Sequence, residues 1–268
     1  MLEDLLEFKN YAKWESLLSI VNTPAPWERI HSEDYVFEPG CWKTCSGFCC
    51  AHKHPDFSFR LLPMKEGSTI LYMGPEYRWM LRNRKVFRDG SGQDLAQPKT
   101  FDFGGPVPLS YYHETCNLLG ACSGVVDKPL LCKVYPFFPV LSFSGELEDI
   151  YPSSIFELTF ELQDLPTPCT VSSKKESYLK RWRGQPEILA PLHHPSVIFY
   201  LRAVKHFVDS YKLNFTANES LRQLSGQAFW RTWEMAYLSG KLISSAQLKA
   251  NILSDYNQLT SHYGEFEI

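Results

Sequence analysis

The spacing of apolar residues predicts a helix at the start of the chain and strands in the stretch that follows. Over residues 2–21, leucine, tyrosine and tryptophan side chains fall roughly on one helical face, and Pro24 lies just beyond the predicted end. Residues 24–40 contain three prolines and are predicted to form a loop. Apolar and polar residues alternate over residues 56–64, and residues 68–74 read STILYMG, so each of these two stretches predicts a strand.

The middle of the chain contains helix, loop and strand signals. Residues 75–87, PEYRWMLRNRKVF, are typical of a helix with proline in its first turn. Residues 88–110 are rich in glycine and proline and are predicted to be irregular, and a hairpin is predicted around Gly145. Within residues 154–163, SIFELTFELQ, apolar and polar side chains alternate from Phe156 to Leu162. That alternation predicts a half-buried strand of an antiparallel sheet with one wet face.

Helical periodicity dominates the last third of the chain. Residues 196–211 and residues 244–259 have the apolar spacing of amphipathic helices. Between them, Thr216 and Glu219 have the spacing of a capping box, and Gly240 is a suitable helix stop.

These elements together predict an α+β fold. A small, antiparallel, β-rich region with helices would contain the cysteines, and a helical region would follow it. We place the boundary near residue 185, with residues 1–184 as a cysteine-rich, metal-binding α+β region that includes the N-terminal helix. Residues 185–268 would be a helical region packed on it, because both halves are rich in aromatic residues.

Composition narrows the class of protein. The chain has 268 residues, of which 44% are hydrophobic and 21% charged, so it can build a core without disulfide staples. A net charge of −3 gives no support for a nucleic-acid or membrane partner. The N-terminal residues lack the pattern of a signal peptide, and no apolar run is long enough to span a bilayer. We therefore expect a cytoplasmic protein, in which clustered cysteines are metal ligands or redox thiols more often than disulfides.

The cysteines are the strongest chemical signal in the chain. Seven of the eight fall into two groups. The candidate metal ligands are Cys41, Cys45, Cys49, Cys50, Cys116, Cys122 and Cys132. Structural zinc sites and iron–sulfur clusters both use thiolates, usually about four per centre, from short loops in which the sulfurs converge. Gly47 in the first group and Gly120 and Gly124 in the second can supply tight turns, so the two groups predict halves of one cage.

For several cysteine and histidine side chains, the sequence allows two different roles. Cys49 and Cys50 are adjacent, and neighbouring side chains of an extended segment point in opposite directions. Either one of them is a ligand and the other a spare, or the two serve different centres. Cys169 is not part of either group, and the sequence allows it to be either a functional thiol or a small buried core residue. For His52 and His54, directly after Cys50, a solvated loop is preferred over metal ligation.

The two cysteine stretches, CWKTCSGFCC and CNLLGACSGVVDKPLLCKVYPFFP, resemble the YkgJ-type cysteine-cluster family, described as zinc- or iron-chelating or Fe–S proteins. The positions that match the second part of the family pattern are Gly120, Cys122, Ser123, Pro129, Cys132, Tyr135 and Pro136. The chain departs from that pattern in two ways. Three residues separate Cys45 from Cys49, where the family has two, and lysine replaces arginine at Lys128 and Lys133. The resemblance covers about residues 41–140.

This resemblance implies metal binding without defining a reaction. A bound Fe–S cluster or iron centre is expected, with [4Fe–4S] favoured and zinc as the alternative. No catalytic residue is assigned, and whether the chain is an enzyme stays open. Some proteins similar to this family are flagellin lysine methylases, so modification of a protein substrate or partner is a conceivable role. Two further hypotheses stand beside it: a structural zinc scaffold or interaction module, and a thiol redox or metal-delivery protein.

Overall fold

A computed structural model describes residues 26–36, 38, 40–45, 47–48, 68–83, 96–116 and 128–268, with the side chains of Trp42, Ser68, Thr69, Thr115 and Cys116 left aside. It is an α+β structure of small antiparallel sheets with a helical C-terminal region, as predicted. The helix predicted over 2–21 and the strand predicted over 56–64 lie outside the described residues.

Two short helices lie where the sequence suggested only loop. Helix α1 spans Trp27–Ser32 and buries Trp27 and Ile30, so the prediction of a loop over 24–40 is wrong in its middle. Helix α2 spans Cys41–Cys45. Both are too short for a periodic apolar signal, and their stability depends on packing.

A three-stranded antiparallel sheet follows, with strand order β1-β3-β2. Strand β1 (Ser68–Met73) leads directly into helix α3 (Gly74–Arg82), which confirms both predictions for this stretch, although the helix ends earlier than predicted. Strands β2 (Gln97–Phe101) and β3 (Leu109–Cys116) show that 88–110 is not wholly irregular. Strand β2 is exposed over most of its length and depends on pairing with β3, which local patterning could not reveal.

A hairpin forms the second sheet. Helix α4 (Leu130–Val134) precedes it, and β4 (Phe137–Leu141) pairs antiparallel with β5 (Leu147–Pro152). Gly145 lies in the connecting turn with φ of 85°, a left-handed conformation that suits glycine, and the predicted hairpin is confirmed.

The strand predicted over 154–163 is wrong, because these residues form helix α5 (Ile155–Leu162). The Ser154 hydroxyl caps the helix by accepting a hydrogen bond from the Glu157 N–H at 3.1 Å. Alternation suggested a wet face at Glu157 and Thr159, but both side chains are buried in hydrogen bonds. Polar residues that are buried and satisfied make a helix look like a strand in the sequence.

The remaining elements are helices. Helix α6 (Lys175–Gly184) is followed by α7 (Pro195–Ala217), α8 (Glu219–Arg222), α9 (Gly226–Leu238) and α10 (Ser245–Tyr263). These confirm the helices predicted for the last third. The capping box predicted from Thr216 and Glu219 is wrong: Thr216 lies inside α7, and Asn218 caps α8 by accepting from the Leu221 N–H at 3.0 Å. Short 3₁₀ helices at Ser172–Lys174, Pro186–Ile188 and Ala190–Leu192 connect the elements.

One hydrophobic cluster contains buried side chains from both sides of residue 185. Phe138 of β4 and Trp182 of α6 belong to the same cluster as Phe199 of α7 and Trp233 of α9. The domain boundary itself stays a prediction. Within the residues that the structure describes, no helix is both long enough and apolar enough to cross a membrane.

Candidate metal centre

Helix α2 carries the first two candidate ligands. Cys41 and Cys45 are one helical turn apart, which places both side chains on the same face of the helix. Both are half-buried and pack against the main hydrophobic cluster, and the Cys45 thiol donates to the Cys41 carbonyl at 3.5 Å. Gly47 has φ of 67°, the left-handed conformation that the sequence anticipated for a turn at this loop. The two sulfurs therefore lie on one face of α2.

Helix α4 carries the third described candidate ligand, Cys132. The side chain is half-buried and packs against a small cluster that includes Tyr72, Tyr77 and Met80. Helix α4 is also held by the Glu76 carboxylate, whose Oε1 accepts a hydrogen bond from the Leu130 N–H at 2.7 Å. Cys132 is therefore held on a short, braced element with apolar surroundings.

Main-chain hydrogen bonding joins the segment before α2 to α4. The Val36 N–H donates to the Lys133 carbonyl at 3.2 Å, and the Lys133 ammonium donates to the Glu33 carbonyl at 3.0 Å. Val36 lies five residues before Cys41, and Lys133 is the neighbour of Cys132. Five residues reach at most about 17–18 Å when extended, so the two cysteine segments belong to one region of the molecule.

The structure describes the other predicted ligands only in part. Cys116 ends β3, paired with Ser68, but its side chain is not described. Cys49, Cys50 and Cys122, together with His52 and His54, lie outside the described residues. No group of three or more histidine, cysteine, aspartate or glutamate side chains that could hold a metal is found in the described part of the chain. Of the predicted ligands, the structure thus brings Cys41 and Cys45 together and leaves the complete set untested.

Cys169 is a core residue. Its side chain is buried within the main hydrophobic cluster. Burial raises the pKa of the Cys169 thiol, although a hydrogen bond with Ser172 opposes this. A buried thiol with a raised pKa is a poor nucleophile and a poor ligand, so it takes the role of a small hydrophobic side chain.

Buried carboxylates beside α4 were missed by the sequence analysis. Glu76 is fully buried. Besides the Leu130 N–H, its carboxylate accepts a hydrogen bond from the Met73 N–H at 3.3 Å. His31 Nε2 lies 3.0 Å from Oε1 of Glu76, but out of line for a hydrogen bond. The residue stands at the third position of α3, and that capping position was a signal that could have indicated its role.

A second buried carboxylate lies near Cys132. The Tyr72 hydroxyl donates to Glu114 Oε1 at 2.7 Å. Burial, followed by the Glu114 carboxylate, raises the pKa of Tyr72 far above its usual value, and the Cys132 and Glu76 side chains add to the effect. Glu114, Glu76 and Cys132 therefore all lie close enough to Tyr72 to act on its hydroxyl electrostatically. In the sequence, Glu114 is an ordinary polar position of a strand, and no pattern marks it.

The described sulfurs fit a thiolate-bound centre in chemical type and surroundings. They are soft donors on short elements with apolar and aromatic neighbours, as zinc and iron–sulfur sites require. Comparisons of the chain with protein-family models, with curated proteins and with solved structures find no match.

Proposed function

We propose that this chain is a metal-binding protein that holds an Fe–S cluster or iron centre, with [4Fe–4S] favoured, through its two cysteine segments. The observation that carries the proposal is the hydrogen bond between the Val36 N–H and the Lys133 carbonyl, which ties the segment leading to Cys41 to the helix of Cys132. Cys41, Cys45 and Cys132 would be ligands. The remaining ligands of the centre would come from Cys49, Cys50, Cys116 and Cys122.

An iron–sulfur cluster supplies one-electron transfer, at a potential set by charge, burial and hydrogen bonding around its sulfurs. The chain's own residues bear on that potential. The apolar side chains around Cys132 exclude water, and the Glu76 and Glu114 carboxylates, which act on the neighbouring Tyr72, disfavour added negative charge. Their combined effect favours the oxidised state of a bound cluster.

The proposed role is accessory or enzymatic, and modification of a protein partner is the enzymatic role that the YkgJ-type resemblance suggests. We propose a reducing compartment such as the cytoplasm as its location. The support is that clustered thiols survive as ligands only where disulfides do not form.

The metal proposal is tested by purification without oxygen, followed by assays of iron, zinc and acid-labile sulfide per chain. We expect a brown protein with stoichiometric iron and sulfide. A colourless protein with stoichiometric zinc would instead establish the structural zinc scaffold, and a metal-free protein with titratable thiols would leave the redox or delivery role.

Ligand assignment is tested by Cys132→Ser against a matched control. Cys132→Ser should lose most of the bound metal, because one thiolate of the centre is removed. Cys169→Ser changes the same atom at a core position and should keep the metal content of the wild type. Equal metal content in the two variants would remove Cys132 from the ligand set.

A further inference from the structure

A cavity of about 250 Å³ lies beside the hairpin, between the start of β4 and the region of α5 and α6. Pro136, Phe137 and Pro152 form an apolar floor, and all three are buried. Leu165 lies at the opening with 39% of its surface exposed. The volume is just below the usual range for ligand sites, about 300–1,000 Å³, so it suits a small molecule with an apolar part.

A buried carboxylate forms one wall of this cavity. Glu157 is 5% exposed and accepts three hydrogen bonds, all from hydroxyl groups. Tyr135 donates to Oε1 at 2.7 Å, while Thr167 and Ser172 donate to Oε2 at 2.6 and 2.9 Å. A carboxylate offers about four acceptor positions, two on each oxygen, so Oε1 retains one position for a further donor.

No described residue forms an ion pair with Glu157. The three hydroxyls orient the carboxylate but carry no positive charge, and a buried carboxylate is stabilised most by a cation. Glu161, one helical turn later and exposed, lines the same cavity. Among the described residues of the lining, Lys175 is the only cationic side chain, so carboxylates outnumber cations there by two to one. The cavity therefore favours a positively charged guest.

We propose that this cavity binds a small organic cation of the primary alkylammonium class. Its ammonium group donates to Oε1 of Glu157 and faces the Glu161 carboxylate, while its alkyl stem lies on the floor of Pro136, Phe137 and Pro152. A primary ammonium supplies three donors, which matches one buried acceptor and a second carboxylate at the opening. The site does not depend on the metal centre.

The test uses n-butylamine hydrochloride at neutral pH as the probe, with amide signals of the isotope-labelled full chain followed by NMR. We expect saturable shifts that centre on residue 137 and residues 172–175. Butan-1-ol has the same stem without the charge, and ammonium chloride has the charge without the stem; both should be at least about tenfold weaker. A probe response that does not saturate, or one matched by either control molecule, would overturn the proposal.

Variants separate the two halves of the site. Glu157→Gln should weaken butylamine binding at least about tenfold, because it removes a buried charge. Glu161→Gln should weaken it about threefold, because this carboxylate is exposed. Leu165→Trp should abolish binding by filling the opening, and it keeps the test decisive if Glu157→Gln fails to fold. Glu176→Gln, an exposed glutamate of α6 outside the lining, should bind as the wild type does. Equal affinity in Glu161→Gln, Leu165→Trp and Glu176→Gln would show that the amine binds elsewhere and refute the assignment.

Discussion

The ion pair between Arg202 of α7 and Asp255 of α10 gives the sharpest prediction about stability. Arg202 Nε donates to Asp255 Oδ2 at 2.8 Å, and the two side chains are 10% and 7% exposed. His206 Nε2 lies 2.7 Å from the same oxygen. Asp255→Asn would remove the buried counter-charge of the Arg202 guanidinium and leave it the exposed Glu148 carboxylate, 3.6 Å from Nη1.

The expected cost follows from what Arg202 keeps. Removing one partner of a buried ion pair costs about 3–5 kcal/mol of unfolding free energy. Arg202 would still donate to the Leu141 carbonyl at 2.9 Å and lie 4.0 Å from the centre of the Phe143 ring. These remaining contacts place the expected loss at the lower end, about 3 kcal/mol.

An exposed ion pair of the same length provides the control. Arg78 and Glu267 are also 2.8 Å apart, but their side chains are 35% and 59% exposed. Glu267→Gln should therefore cost less than about 1 kcal/mol. Both variants are measured by urea unfolding followed by circular dichroism, with the wild-type slope retained. A loss below about 1 kcal/mol for Asp255→Asn, or equal losses in the two variants, would refute the reasoning from burial.

Three further predictions concern the same helical region and its neighbours. Burial acts to raise the pKa of Asp255, but hydrogen bonds from His206 and Arg202 outweigh it and hold that pKa below its ordinary 3.8. The ionised Asp255 therefore contributes its full stabilisation of the fold above pH 3.8, and this contribution is lost as the pH falls further. Unfolding free energies measured between pH 2 and 6 should fall less steeply towards acid pH in Asp255→Asn than in the wild type. Tyr211→Phe should cost about 1–3 kcal/mol in urea unfolding, because the buried Trp233 Nε1–H, now 2.6 Å from the Tyr211 oxygen, would lose its acceptor; an unchanged midpoint would contradict this. Ser154→Ala should cost about 1 kcal/mol by removing the cap of α5, and Ser154→Asp, which can still accept, should restore most of it.

The long C-terminal helices were predictable because their signal is local and repeated. Helix α7 has 23 residues and α10 has 19, so many turns report the same apolar face. The hairpin was predictable because Gly145 marks its turn. Helix α5 was not, because its polar positions find partners far away in the chain: Thr159 meets Tyr211, and Glu157 meets Tyr135.

In the candidate site too, some residues were predictable from the sequence and others were not. The cysteine spacing indicated Cys41 and Cys45, and the structure places them on successive turns of one short helix. Glu76 and Glu114 carry no such spacing, since Glu76 of α3 meets the Leu130 N–H of α4 and Glu114 of β3 meets the Tyr72 hydroxyl of β1. Which carboxylate is buried near a given thiol is decided by tertiary structure, and a single sequence holds no local record of it.

Strand β2 bears on how copies of this protein behave towards one another. It lies at an edge of the described three-stranded sheet, and its sequence, QPKTF, places Pro98 and Lys99 there. Proline has no N–H to offer to an incoming strand, and lysine charges repel one another when two such edges approach. This edge, with which no further described strand pairs, is thus a poor template for strand addition, and concentrated protein is protected from growing the sheet there into intermolecular aggregates.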